Sequence, residues 1–229
     1  MSTKINLNGK QYEIPQRLTI DQWCKVMSFD FEDPKFYPQI VQAVTGAPAQ
    51  LLKKAPEEAL VLAISLIVAK LNERREVKTL NVSTLKFGEW VDLDIWINMG
   101  VHLHLQEKMD VMKQGTKWAD EAMWCVDKFA EYRMFTYRQY KILFNLTDKD
   151  LEEAKERLDL QPERLHLARS WYKVIVHLAN DNILNIDEVT EQPLKKVLNF
   201  MALQKERALE EQQKQLEQRR KYDLQRNSR

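Results

Sequence analysis

The stretch WADEAMWCVDKFAEYRMFTYRQYKILFN, residues 118–145, decides the fold, because its pattern predicts one long helix that follows a break at Gly115. The whole chain has only 5 glycines and 7 prolines. Sandwiches and barrels need many turns, and turns use these two residues. The sequence therefore predicts a mainly α protein: a multi-helix domain with a small N-terminal β-hairpin and a long projecting C-terminal helix.

Alternating residues on both sides of Asn8-Gly9 predict the hairpin. Apolar and polar residues alternate over positions 5–7 and again over 12–14. Asn-Gly between two such runs is a strong hairpin signal, because both turn residues can adopt a positive φ. Beyond the second strand, Thr19 with Gln22 three residues later is the capping-box pattern of a helix start.

Further segments predict additional helices. The chain is apolar on most sides from Leu60 to about Glu73, which predicts a central buried helix. The segment from Phe87 to Leu105 alternates in part as a strand would, but its helical pattern lasts longer and favours a helix. Thr147 is placed to cap a short charged helix that runs to Leu158, and Pro162 is placed to open another.

We expect three segments along the chain. Residues 1–146 hold the hairpin and the helical main body. Residues 147–202 add helices that either extend this body or form a small second lobe, and residues 203–229 form a charged helical or frayed tail. In the tail, Leu209 and Leu216 are seven residues apart, but the other seam of a coiled coil would be polar. The pattern favours a helix that projects into solvent, lies on a partner or frays.

Charge and cysteine content indicate the broad class of protein. Lys and Arg number 35 and Asp and Glu 34, a balance that disfavours bulk binding of polyanions. Cys24 and Cys125 lie beside tryptophans and are typical of buried thiols in a reducing compartment. The first ten residues lack the apolar region of a secretory signal. The longest apolar stretch, Ala59 to Ala69, is shorter than the ~20 residues of a membrane span. We expect a soluble intracellular protein with no membrane association.

Sequence signals for catalysis are weak. His102 and His104 would point apart on a helix, and no nearby ligand completes a metal site. Asp92 and Asp94 have the same spacing, so a solvated face is favoured over an acid–base pair. No glycine-rich phosphate loop or activated nucleophile is recognisable. We expect no enzymatic activity, no metal, no cofactor and no small-molecule substrate.

The aromatic residues of 118–145 have three interpretations. A core helix with a mixed-charge face explains most of the pattern. Aromatic residues interleaved with basic ones are also typical of single-strand nucleic-acid surfaces, but the acidic residues of this stretch would repel phosphates and disfavour nucleic acid. The third interpretation is a protein-binding groove. The candidate partner-binding residues are Trp118, Trp124, Tyr132, Tyr137 and Tyr140, and in the basic end of the tail Arg219, Arg220 and Lys221.

Three blocks of the sequence resemble tail and baseplate proteins of tailed bacteriophages. They are INLNGKQYEIPQRLTIDQW at residues 5–23, FGEWVDLDIWINMG at 87–100, and KWADEAMWCVDKFAEYRMFTYRQYKILFNL at 117–146. Together they resemble a family found in large contractile-tailed phages, similar to the T-even group. Its members are described as baseplate hub subunits or tail assembly chaperones. The resemblance covers about residues 5–146.

The resemblance implies a late protein in the cytoplasm of the infected host that binds other tail proteins and has no catalytic residues. Such proteins help to assemble the central hub, or keep the tape-measure protein from aggregating before the tail tube forms. The implied partners are hub and tape-measure proteins, and a homo-oligomer is compatible with this role. The first alternative is a permanent structural subunit of the virion baseplate, and the second is a nucleic-acid-binding regulator. An enzyme with an unrecognised site ranks last.

Overall fold

The computed structural model describes residues 3–147 and 164–227. It is mainly helical, with a two-stranded antiparallel hairpin at the N-terminal end and a long helix at the C-terminal end. The predicted fold class is therefore confirmed. None of the helices over these described residues combines the length and the apolar character that crossing a bilayer requires.

The N-terminal hairpin pairs β1, Thr3–Leu7, with β2, Lys10–Ile14. The turn residues Asn8 and Gly9 have φ values of 52° and 78°, as an Asn-Gly turn of this kind requires. Asn8 Nδ2 donates to the carbonyl oxygen of Leu51 at 3.2 Å. The inward-facing side chains are buried: Ile5, Leu7 and Ile14.

The first two helices start and stop where local signals place their ends. Helix α1, Ile20–Met27, begins with the predicted capping box, in which Gln22 N donates to Thr19 Oγ1 at 3.2 Å and Thr19 N donates to Gln22 Oε1 at 3.0 Å. Helix α2, Tyr37–Thr45, ends at Gly46, whose φ is 69°. Gln22 Nε2 also donates to a carbonyl of α2 at 3.1 Å, which ties the two helices together.

Helix α4, Glu57–Leu71, follows the single-turn helix α3, Ala49–Leu52. One face of α4 is buried: Leu60, Ala63, Ile64, Ile67 and Leu71. The expectation of burial on most sides is wrong, because Val61, Leu62 and Val68 are 45%, 58% and 36% exposed. The composition of a helix that is apolar on most sides therefore does not determine how many of its faces are buried against other elements.

The predicted helix from Phe87 to Leu105 is two helices in the structure. Helix α5, Phe87–Met99, confirms helix over strand, and α6 spans Leu105–Val111. The break follows from Gly100, whose φ of 115° is incompatible with helical continuation. Trp96 Nε1 donates to the carbonyl of Leu103, which holds the intervening turn.

The long aromatic helix is shorter than predicted. Helix α7 spans Ala119–Gln139, and α8, Lys141–Phe144, follows it. Tyr140 interrupts them with φ −115° and ψ 36°, values outside the helical region. The prediction of one continuous helix to residue 145 is therefore wrong at Tyr140, where the sequence contains no glycine or proline to mark the break.

Three helices complete the described chain. They are α9, Arg164–Leu178; α10, Ile186–Thr190; and α11, Leu194–Asn227. Helix α9 corresponds to the helix predicted to open at Pro162. The helix predicted from Thr147 to Leu158 lies, apart from its first residue, outside the described residues.

The chain forms two compact units. Unit 1 comprises Met1–Val82 and Trp96–Glu131, and unit 2 comprises Ser83–Ile95 and Tyr132–Arg229. Both α5 and α7 contribute residues to each unit, because the boundaries fall inside these helices. This division differs from the three segments expected from the sequence, since the first part of α5 belongs with the C-terminal helices.

Each unit has its own apolar core. The core of unit 1 includes side chains from the hairpin, α1, α2, α4 and α7, among them Leu7, Ile14, Ile40, Ile67 and Phe129. The core of unit 2 is built from the start of α5, the end of α7, α9 and the start of α11, among them Phe87, Trp90, Trp171, Leu194 and Leu198.

Candidate functional site

Three of the five aromatic candidates are half-buried: Trp118, Trp124 and Tyr132. Arg17 Cζ lies 4.7 Å from the centre of a Trp118 ring. Lys128 Nζ lies 5.8 Å from the centre of a Trp124 ring. Cationic side chains of this chain thus already lie over the rings of both tryptophans. A cation over an aromatic ring is a favourable electrostatic contact.

The other two aromatic candidates, Tyr137 and Tyr140, are interior residues of unit 2, each 5% exposed. The Tyr137 hydroxyl donates to Asp94 Oδ1 at 2.5 Å, and the Tyr140 hydroxyl donates to Asn199 Oδ1 at 2.7 Å. Burial, and then the negative charge of Asp94, raises the pKa of the Tyr137 hydroxyl above its ordinary value. Both side chains are buried and hydrogen-bonded within unit 2, so they are not accessible to a binding partner.

Asp94 is the centre of a buried polar cluster in unit 2. Its side chain has no solvent exposure, and it accepts hydrogen bonds from Arg133 Nε at 2.5 Å, from the Tyr137 hydroxyl and from Trp171 Nε1 at 2.9 Å. Burial alone would lower the pKa of the Arg133 guanidinium, but its neighbours Tyr137 and Asp94 raise it. The cluster is a paired and hydrogen-bonded internal charge, which is the form in which proteins tolerate burial of a carboxylate.

Aromatic rings enclose this cluster. The ring centre of Trp90 lies 5.4 Å from that of Trp171 and 6.0 Å from that of Tyr137, both edge-to-face. The ring of Phe144 lies 4.4 Å from Tyr137 and 6.0 Å from Trp171. The hydrogen bonds of the cluster join α5 through Asp94, α7 through Arg133 and Tyr137, and α9 through Trp171.

The expectation that Asp94 lies on a solvated face is wrong. Phe87, Trp90 and Val91 are buried, and Asp94 follows them at the spacing that completes one helical face. This spacing was the signal that could have predicted the burial of Asp94. Asp92 lies on another side of the helix and is half-buried.

The remaining reactive side chains are dispersed. Cys24 is half-buried and Cys125 is buried, and burial raises the pKa of both thiols, to about 11 for Cys125. His102 and His104 lie in the turn between α5 and α6 rather than on a helix. Within residues 3–147 and 164–227, no three or more His, Cys, Asp or Glu side chains are placed to hold a metal ion.

Sequence patterns did not predict a groove in unit 2, which we call the α9–α11 groove. It consists of two adjoining cavities of about 440 and 610 Å³. Helix α9 contributes Val174 and Leu178, four residues apart on one side of the helix. Helix α11 contributes Val197, Phe200 and Met201. Val189 of α10 and Leu143 of α8 add further apolar side chains to the lining.

The rim of the α9–α11 groove is mostly basic. Its charged side chains include Lys173 of α9, Lys196 and Lys205 of α11, and Glu188 of α10. His177 lies one turn after Lys173 on α9. The groove is thus an apolar channel with three lysines and one glutamate along its edges.

Beyond the groove, α11 continues into solvent. Every residue from 206 to 221 is exposed, and the side chains of Leu209 and Leu216 are 40% and 48% exposed. These two leucines lie on one side of the helix, and we call them the leucine stripe. The basic candidates Arg219, Arg220 and Lys221 are exposed beside it.

No family model, no curated protein and no solved structure matches this chain. Among the described residues, apolar side chains at helical spacing are exposed in the α9–α11 groove, in the leucine stripe and on α4, where Val61 and Val68 are seven residues apart.

Proposed function

We propose that this protein is a non-enzymatic assembly protein of a bacteriophage tail, which binds hub or tape-measure proteins in the host cytoplasm while the baseplate forms. The sequence blocks at residues 5–23, 87–100 and 117–146, which resemble tail assembly proteins, support the phage context. The exposed surface of α11 supports a role in binding other proteins.

The observation that carries the proposal is the length of α11 beyond its own core. The helix has 34 residues, and its buried positions end at Leu198. The exposed part then places two leucines on one side of the helix, about two turns apart. Transferring the rest of each leucine from water to a partner would contribute about 1 kcal/mol. A partner helix that packs along the leucine stripe would bury these two side chains.

The positions of the aromatic candidates disfavour binding of nucleic acid through this part of the chain. Bases stack on exposed aromatic faces, and such surfaces need several of them in a row. Tyr137 and Tyr140 are buried, and Arg17 and Lys128 lie over the rings of Trp118 and Trp124. These five candidates therefore do not form a row of free aromatic faces, which weakens the nucleic-acid alternative.

The test is a pull-down of the tagged full chain from phage-infected cells, with mass spectrometry of the eluate and of purified virions. We expect hub or tape-measure proteins in the eluate and no copy of this chain in virions. A fixed copy number in virions would instead identify a structural baseplate subunit. Recovery of only nucleic acid or of metabolic enzymes would overturn the tail-assembly proposal.

A variant of the leucine stripe sharpens this experiment. Leu209→Glu with Leu216→Glu is expected to remove the tail proteins from the eluate and to leave the melting temperature unchanged, because both side chains are exposed. The matched control is Lys214→Gln with Gln218→Glu, which makes the net charge more negative by the same amount on the opposite side of α11. Equal loss of partners in both double variants would contradict binding through the stripe.

A further inference from the structure

The α9–α11 groove is elongated. Its two cavities share Leu178, Asn180 and Phe200, so they form one continuous channel. Along α11 the lining extends from Lys196 to Lys205, which corresponds to ~14 Å at the rise of an α-helix. A channel of this length between two helices matches two to three turns of a third helix, whose apolar side chains recur every three or four residues.

The apolar anchor of the groove is Phe200. Phe200 is 51% exposed and borders both cavities. Met201 and Leu143 lie beside it in the larger cavity, and both are half-buried. Large apolar side chains that remain partly exposed in a channel are the usual anchors for an amphipathic helix.

The charged side chains of the rim determine whether an acidic or a basic partner would bind. Lys196 Nζ donates to Gln192 Oε1 at 2.7 Å, and Lys205 Nζ donates to Asn145 Oδ1 at 2.7 Å. These acceptors are neutral amides that orient the lysines, and in the part of the chain that the structure describes the rim carries three lysines against the single carboxylate of Glu188. A partner with carboxylates on both sides of its apolar face would complement the rim, and a basic partner would be repelled.

We propose that the α9–α11 groove binds an acidic amphipathic helix of another protein, with its apolar face on Phe200 and its carboxylates beside Lys173, Lys196 and Lys205. This inference goes beyond the tail-assembly function and does not depend on it. It concerns the groove, whereas the assembly proposal rests on the leucine stripe. Failure of one leaves the other unaffected.

The test is direct titration of the full chain with a fluorescein-labelled peptide. The peptide is about four turns long, with leucine at every third or fourth position and glutamate elsewhere. A second peptide carries lysine in place of each glutamate. We expect saturable binding of the acidic peptide by fluorescence anisotropy, weakened as salt is raised from about 0.05 to 0.5 M. Binding of the basic peptide is expected to be weaker by about tenfold or more.

Groove variants decide where the peptide binds. Phe200→Glu, and separately Lys173→Glu with Lys205→Glu, are expected to weaken binding by about tenfold or more. The matched control for the first is Leu62→Glu, which changes another exposed apolar residue, 58% exposed on α4 of unit 1. The control for the second is Lys10→Glu with Lys53→Glu, both exposed in unit 1. Far-UV circular dichroism confirms that each variant is folded.

Three results of the peptide titration would overturn the proposal. They are absence of acidic-peptide binding, equal affinity for the acidic and basic peptides, and acidic-peptide binding that survives both groove variants. If the groove is instead filled by a second copy of this chain, sedimentation will show a dimer that Phe200→Glu dissociates. That result also rejects the acidic partner.

Discussion

At the scale of single residues, Asp94 and Asp21 show how burial changes the effect of an ion pair on the stability of the fold. Asp94 is 0% exposed and its partner Arg133 is 8% exposed. Asp21 and Lys25, which also form an ion pair, are 73% and 62% exposed. Removing one member of a buried pair leaves the other charge without a partner in an apolar interior. The same change at the surface leaves a charge that water solvates.

We expect Asp94→Asn to lower the free energy of unfolding by about 3 kcal/mol, since Arg133 then remains as a buried cation without its carboxylate. Asp21→Asn is the control, and its expected effect is about 0.5 kcal/mol or less. Both values come from urea unfolding followed by circular dichroism. Adding Arg133→Met to Asp94→Asn is expected to restore part of the lost stability. Equal effects of the two single changes would mean that the cluster is not a stability determinant.

At the scale of elements, the hairpin depends on one backbone conformation. Gly9 has a φ of 78°, in the left-handed region, and a Cβ added there would have nothing within 4 Å. The cost of a side chain at this position is therefore purely conformational. Gly115 also has open space around it, but its φ lies outside that region.

Gly9→Ala is expected to lower the free energy of unfolding by about 1 kcal/mol, because alanine is strained at this φ. Gly115→Ala is expected to be neutral or slightly stabilising, because it restricts the unfolded chain without strain. Chemical denaturation of both variants measures the difference. If Gly9→Ala is as stable as Gly115→Ala, the Asn-Gly turn does not control the hairpin.

The same elements show what a sequence can predict. The Asn-Gly turn and the Thr19 capping box were predicted because each depends on residues a few positions apart. The burial of Asp94 depends on Trp171, which lies 77 positions away in the chain. The α9–α11 groove likewise requires four helices to meet, because α8 and α10 also contribute to its lining. Patterns of neighbouring residues do not record these long-range contacts, so the fold class was predictable and the α9–α11 groove was not.

At the scale of the whole molecule, the two units share α5 and α7. Ile95 and Trp96 are consecutive residues of one helix, and Glu131 and Tyr132 of another, yet each pair is divided between the units. Unfolding one unit therefore removes helical structure from residues directly joined to the other. Proteins with separate domains commonly unfold in separate transitions. Continuous helices across both boundaries favour a single cooperative transition here.

We expect Asp94→Asn, a change in unit 2, to shift the unfolding of unit 1. The probe is Cys125 of unit 1, whose burial raises its thiol pKa to about 11 and protects it in the native state. In a Cys24→Ser background, brief labelling with a maleimide across a urea series reports the midpoint at which Cys125 becomes reactive. The Asp94→Asn change is expected to lower this midpoint by the same amount as the midpoint measured by circular dichroism. If labelling of Cys125 keeps its original midpoint while the circular dichroism midpoint falls, the units unfold independently and the shared helices do not couple them.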